Sequence, residues 1–175
     1  MIHSHESGSG RRQQLTRELN HLLRRFRQYQ SEAEWVAALL DGASHFSPQA
    51  AVFTLKDGTL RLRGQSNLAL PDEFSFPISS GGAFASAVES RDPVTALRTP
   101  GEVGEHLSAP GPNERAQIIP ISNAERVVAL LFAAGAEPVD GDALELVAGM
   151  AAIVLERQAN ASRHAQIGRH LGTSA

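Results

Sequence analysis

Side chains able to do chemistry are sparse in this chain. It has no cysteine, which removes disulfides, thiolate metal sites, cysteine nucleophiles and thioether-linked chromophores. Its one lysine, Lys56, follows no glycine-rich loop, which argues against a phosphate-binding P-loop and most lysine chemistry. No G-x-S-x-G, H-E-x-x-H or strand-to-helix G-x-G-x-x-G pattern occurs, so no catalytic residue is expected. His3 and His5 stand two apart with no further ligands near in sequence, and a metal site is not expected there. His164 and His170 are six apart on a helical stretch and share a face poorly. Asn160-Ala161-Ser162 matches a glycosylation sequon, but no secretory signal supports its use.

A smaller group of residues could hold a ligand. Ser79-Ser80-Gly81-Gly82 opens a short helix, and its backbone N–H groups could receive an anion at Gly82 or simply be capped. His106 sits in a long irregular stretch, free to bind a ligand or haem iron, or to be solvated. Arg115 begins a strand beside that stretch and could pair with a carboxylate or phosphate. Phe53, Phe74, Phe76 and Phe84 either line an apolar pocket or pack the core.

The chain that must position these groups has 175 residues, 42% apolar and 20% charged. That is the composition of an ordinary single domain with a core of its own. A net charge of −3 argues against a general attraction to nucleic acid. Residues 1–12 are polar and rich in Gly and Ser; they are expected to be a disordered tail and lack the apolar core of a signal peptide. No window approaches about 18 apolar residues, so no membrane span is expected and the location is read as cytoplasmic.

Residues 13–30 read as an amphipathic helix. Leu15, Leu19, Leu22, Phe26 and Tyr29 step by 4, 3, 4 and 3, the period of a coiled-coil seam. Leaving five such side chains in water is unfavourable by ~1.5–3 kcal/mol each, so these residues are expected to form a homodimer interface. Arginines crowd the same helix, and a nucleic-acid contact is the alternative reading. Ser31 with Glu34 is a capping-box pattern, which breaks the helix there and starts another at 32–44. The period then changes to two. Residues 50–55 and 60–64 form a hairpin about Asp57-Gly58. A strand around Phe74–Ile78 ends near Pro77, an edge signal. A helix at 83–90, a strand at 93–97 and a long irregular stretch at 98–113 follow. Residues 115–121 and 126–133 are apolar strands, the second apolar enough to be central. A long helix runs from 143 to about 170.

This ordered set resembles the GAF domain family. The likeness rests on AAVFTLKDGTLRLRG (50–64), FPISSGGAFASAVESRDPVTAL (76–97), QIIPISNAERVVALLFA (117–133) and DGDALELVAGMAAIVLER (140–157). Ala129 departs from the family, where many members have Gly. The resemblance implies an α+β fold, with an antiparallel sheet of five or six strands. Terminal helices would pack on one face, and a short helix plus loop would roof a pocket on the other. It covers residues 31–157 as the domain, with 13–30 read from its seam as a dimerisation helix and 158–175 as an extension of the last helix with a tail.

The expected function is then a regulatory module of signal transduction, not an enzyme. It would bind a small metabolite at Phe53, Phe76, Gly82, Phe84, His106 and Arg115, and dimerise. The cofactor and the output protein stay unknown. A ligand-free dimerisation module is the alternative from another class. The absence of cysteine excludes bilin attachment and the thiol chemistry of the family's methionine sulfoxide reductases. The cyclic-nucleotide pattern of the family is not recognisable, because Lys56 follows Leu55 rather than an Asn.

Overall fold

The computed structural model describes residues 6–171 except 112 and 125. Helix α1 (Glu6–Gln28) is followed by α2 (Glu32–Ser44). The break between them is the expected capping box. Ser31 Oγ accepts from the Glu34 amide at 3.2 Å, and Glu34 Oε2 accepts from the Gln30 amide at 2.7 Å. Helix α1 starts at Glu6 rather than at 13, so 6–12 of the expected tail are helical. Gly8 and Gly10 each cost only about 1 kcal/mol there, and no proline interrupts. Residues 1–5 of that tail lie outside the described residues.

Strands β1 (Gln49–Lys56) and β2 (Thr59–Ser66) form the first hairpin. Its turn holds Asp57 and Gly58 at φ 50° and 72°, the two positive angles that a tight hairpin of this hand requires. Then come β3 (Ser75–Pro77), α3 (Gly82–Ser90) and β4 (Val94–Leu97). The irregular stretch holds one helical turn, α4 (Pro100–Val103), and a 3-10 turn at Glu105–Leu107. Strands β5 (Arg115–Asn123) and β6 (Arg126–Gly135) form the closing hairpin before α5 (Gly141–Leu171).

The six strands make one antiparallel sheet in the order β3-β2-β1-β6-β5-β4. The nearly all-apolar β6 is central and β3, with its Pro77, is an edge, as its residue types require. Successive side chains point to opposite faces, so each central strand feeds two cores. Ala50, Val52, Ile119, Ile121, Leu131 and Ala133 face α1, α2 and α5. Ala51, Phe53, Ile118, Leu130 and Phe132 face α3 and the irregular stretch.

The helical layer is seated closely. Trp35 Nε1 donates to the Ala151 carbonyl at 3.2 Å, tying α2 to α5. Gly64 brings β2 against α2; a Cβ there would stand 2.8 Å from Leu40 Cδ1 and Val36 Cγ1. Gly42 makes room for α1 in the same way, with Leu22 Cδ2 only 2.6 Å from where its Cβ would be. Leu22 and Phe26 are consequently buried in the chain's own core. The expectation that all five seam residues need a partner is corrected for these two, while Leu15, Leu19 and Tyr29 are half-buried. A heptad seam fixes the period of a helix contact, and here α2 and α5 of the same chain supply part of that contact. Arg25 of the basic helix is taken up by Asp41 of α2. No described helix is long and apolar enough to cross a membrane.

Candidate functional site

The space beneath α3 is the place where the sequence put a ligand. Phe53 enters from β1, Phe132 from β6, Phe76 from β3 and Phe84 from α3, with Phe74 just before β3. The rings meet one another. Phe53 to Phe84 is 5.8 Å between centroids, Phe53 to Phe76 is 5.6 Å and Phe76 to Phe84 is 5.3 Å, all edge-to-face. Phe84 stacks on Phe132 at 6.3 Å. Such pairs contribute about 0.5–1.5 kcal/mol beyond their burial. Phe53, Phe84 and Phe132 have no exposed surface. His106 covers the outer end, 4.8 Å from the Phe74 ring.

Four of the six residues expected to bind a ligand therefore meet in or at the edge of one ring cluster, Phe53, Phe76, Phe84 and His106, while Gly82 is exposed at the start of α3. The glycine pair has a packing reason of its own. A Cβ on Gly81 would lie 3.2 Å from the Glu102 carbonyl oxygen, and one on Gly82 would lie 3.4 Å from that of Gly101. The start of α3 thus abuts α4. The sixth residue, Arg115, stands apart from the others. It pairs with Leu97 and Gly135 at the end of the sheet and shares its strand parity with Ile119, which packs on the helical layer. It is exposed, away from the ring cluster, and lines a cleft of about 410 Å³ with Gln117, Glu137 and Val139.

Arg98 is a residue that the sequence reading passed over. It is a buried cation at the foot of the roof. Its Nε donates to the Leu107 carbonyl at 2.9 Å, and its Nη1 donates to Gln49 Oε1 at 2.9 Å and Glu114 Oε2 at 3.1 Å. The guanidinium carbon lies 5.8 Å from the Phe132 ring centroid, within cation–π range. Strand alternation could have found it. Ala96 faces the roofed core, and two residues on, Arg98 has the same parity.

The helical layer carries open concavities. A cleft of about 500 Å³ is lined by Phe26, Arg27, Tyr29, Val154, Arg157 and Gln158. Tyr29 donates its hydroxyl to Gln158 Oε1 there, and partial burial pushes its pKa up. Leu146 and Ile153 project from the outer side of α5 at 50% and 60% exposure. Among the described residues no group of three His, Asp or Glu could hold a metal ion. His3 and His5 lie outside the described residues.

No family model matches this chain, and no curated protein matches it in sequence. Solved structures do match in fold. A GAF domain from A. aeolicus in an inactive state superposes with a TM-score of 0.68 at 8% identity, covering 84% of this chain and 98% of that one. The GAF domain of a phosphoenolpyruvate-protein phosphotransferase from Coxiella burnetii gives 0.64 at 13% identity, with 87% and 96% covered. A free methionine-R-sulfoxide reductase from Neisseria meningitidis, in complex with its substrate, gives 0.60 at 17% identity, with 86% and 91% covered. With its helices on one face of a six-stranded antiparallel sheet and a short helix over the other, the chain has a GAF-like fold.

Proposed function

We propose that this chain is a regulatory module of signal transduction that works as a homodimer joined through its helical layer. The observation that carries this is the outer face of α5. Leu146, Gly149, Met150 and Ile153 are spaced 3, 1 and 3 apart, which places them on one stripe of a helix. Among the described side chains of that helix, Leu146 and Ile153 are the most exposed large apolar ones. Gly149 has open space where its Cβ would be. A glycine costs a helix about 1 kcal/mol against alanine, and nothing within the chain requires it; a second helix approaching closely would. Leu15, Leu19 and Tyr29 lie half-buried in the same layer. A symmetric pairing of α5 with α5, flanked by α1, covers both groups.

A second reading keeps a metabolite beneath α3, bounded by Phe53, Phe76, Gly82, Phe84 and His106. The fold likeness favours it, since one similar structure is a reductase with its substrate bound. The ring cluster weighs against it, because a ligand would have to part side chains already in mutual contact. Either reading is regulatory rather than catalytic: with no cysteine in the chain, a thiol-based reduction is not available to it. An output protein is implied by both. Native mass spectrometry of the purified chain tests them together. A dimer without a bound small molecule is the expected result. A monomer overturns the assembly reading, and a retained small molecule favours the second.

A further inference from the structure

The Arg98–Glu114 pair is only half used by the packing around it. A guanidinium offers five N–H donors in a planar fork. Arg98 spends one at Nε and two at Nη1; among the described residues its Nη2 has no protein acceptor. Glu114 accepts through Oε2 alone, and its Oε1 has no protein donor among them. No buried side-chain nitrogen or oxygen of the described residues lacks a partner, so both free edges reach open space. Both residues line a cleft of about 430 Å³ at the end of the sheet, together with Pro48, Ala109 and Pro110. Arg98 is rigidly held there, its side chain 7% exposed.

We propose that this cleft binds a small zwitterion of the α-amino-acid class, its carboxylate on Arg98 Nη2 and its ammonium on Glu114 Oε1. The pair is already neutral. A lone anion would meet the Glu114 charge, and a lone cation the Arg98 charge, in a half-buried setting where like charges repel strongly. A zwitterion complements both free edges and leaves the site neutral. The contact of Glu114 with Arg98 uses one oxygen rather than two, so each partner keeps a polar edge for a ligand. The prolines and Ala109 form an apolar wall suited to a short aliphatic side chain. Gly111 keeps the acidic edge open: a Cβ there would stand 3.0 Å from Glu114 Oε1. The cleft is built within one chain, so the proposal stands apart from the assembly reading.

Titration of the full chain with L-alanine, followed by amide NMR, tests this. Saturable shifts are expected at Arg98, Ala109 and Glu114, with acetate and ethylamine each at least about tenfold weaker. Gly111→Ala, whose methyl would crowd Glu114 Oε1 without changing either charge, and Glu114→Gln, which keeps the shape, should each weaken L-alanine by about tenfold. Acetate acting as strongly as L-alanine would mean a simple anion site and overturn the proposal. So would the absence of saturation by about 50 mM, an affinity too weak to carry a signal. Unchanged binding in both variants would place the ligand elsewhere.

Discussion

The two faces of the sheet are built from different side chains and close differently. The helical face is lined by Ala50, Ala129 and Ala133 with Val52, Ile119 and Leu131, and three helices lie close upon it. The roofed face is aromatic, its large rings filling the space under a nine-residue helix and an irregular stretch. Small residues let long helices approach, and those helices then present a second apolar surface outward. Large rings leave little to present. The side of the molecule that can still bury apolar surface is therefore the one that already carries the longest helices. Beside the roofed core, Arg98 and Glu114 line a cleft at the end of the sheet.

That contrast breaks first if the roofed face is not closed. Phe84→Ala should cost about 3–5 kcal/mol in denaturant unfolding, because its three ring neighbours Phe53, Phe76 and Phe132 cannot all collapse into the gap. A cost below about 1 kcal/mol would mean the rings already tolerate a cavity there, and would favour a ligand space. On the helical face the sharper tests are additions. Gly64→Ala should destabilise by about 1–3 kcal/mol, since its methyl meets Leu40 and Val36. Gly149→Ala, with open space around it, should instead raise the stability of the isolated chain by up to about 1 kcal/mol while weakening its self-association. Equal signs at the two glycines, read by thermal unfolding at low protein concentration, would contradict the packing described.

Smaller effects test the entry and exit of α1. Ser31→Ala should cost about 0.5–2 kcal/mol, because the Glu34 amide loses its acceptor. Tyr29 supplies the smallest. Its folded pKa is raised by burial, so the folded chain keeps that proton longer than the unfolded chain does. Stability from this group is full below about pH 10 and declines as pH rises above it. In Tyr29→Phe the alkaline decline measured by thermal unfolding should be shallower, and an unchanged slope would remove the group from the account.

Much of the fold was legible in the residues, for local reasons. Asp57-Gly58 has the backbone freedom its turn needs, Ser31 and Glu34 reach only their own helix start, and β6 is apolar enough that only a central place suits it. The site was legible in part. Phe53, Phe76 and Phe84 were expected to converge, and they do, but whether rings meet each other or a ligand depends on the depth of the roof, which no spacing encodes. The partner of the α1 seam was illegible for a similar reason: Gly42 and Val147, far away in the chain, decide that Leu22 and Phe26 are covered internally. One step of strand parity separates Arg115 from the ring cluster, and the same step applied beyond Ala96 points to Arg98.

The central claim is that the outer stripe of α5 joins two chains. Sedimentation equilibrium at tens of micromolar, with the native chain and Ile153→Glu side by side, tests it most directly. Twice the 18.7 kDa chain mass is expected for the native protein. The single mass is expected for the variant, with the circular dichroism of the folded sheet and helices unchanged. A native protein that sediments as a monomer, or a variant that remains a dimer, would contradict it.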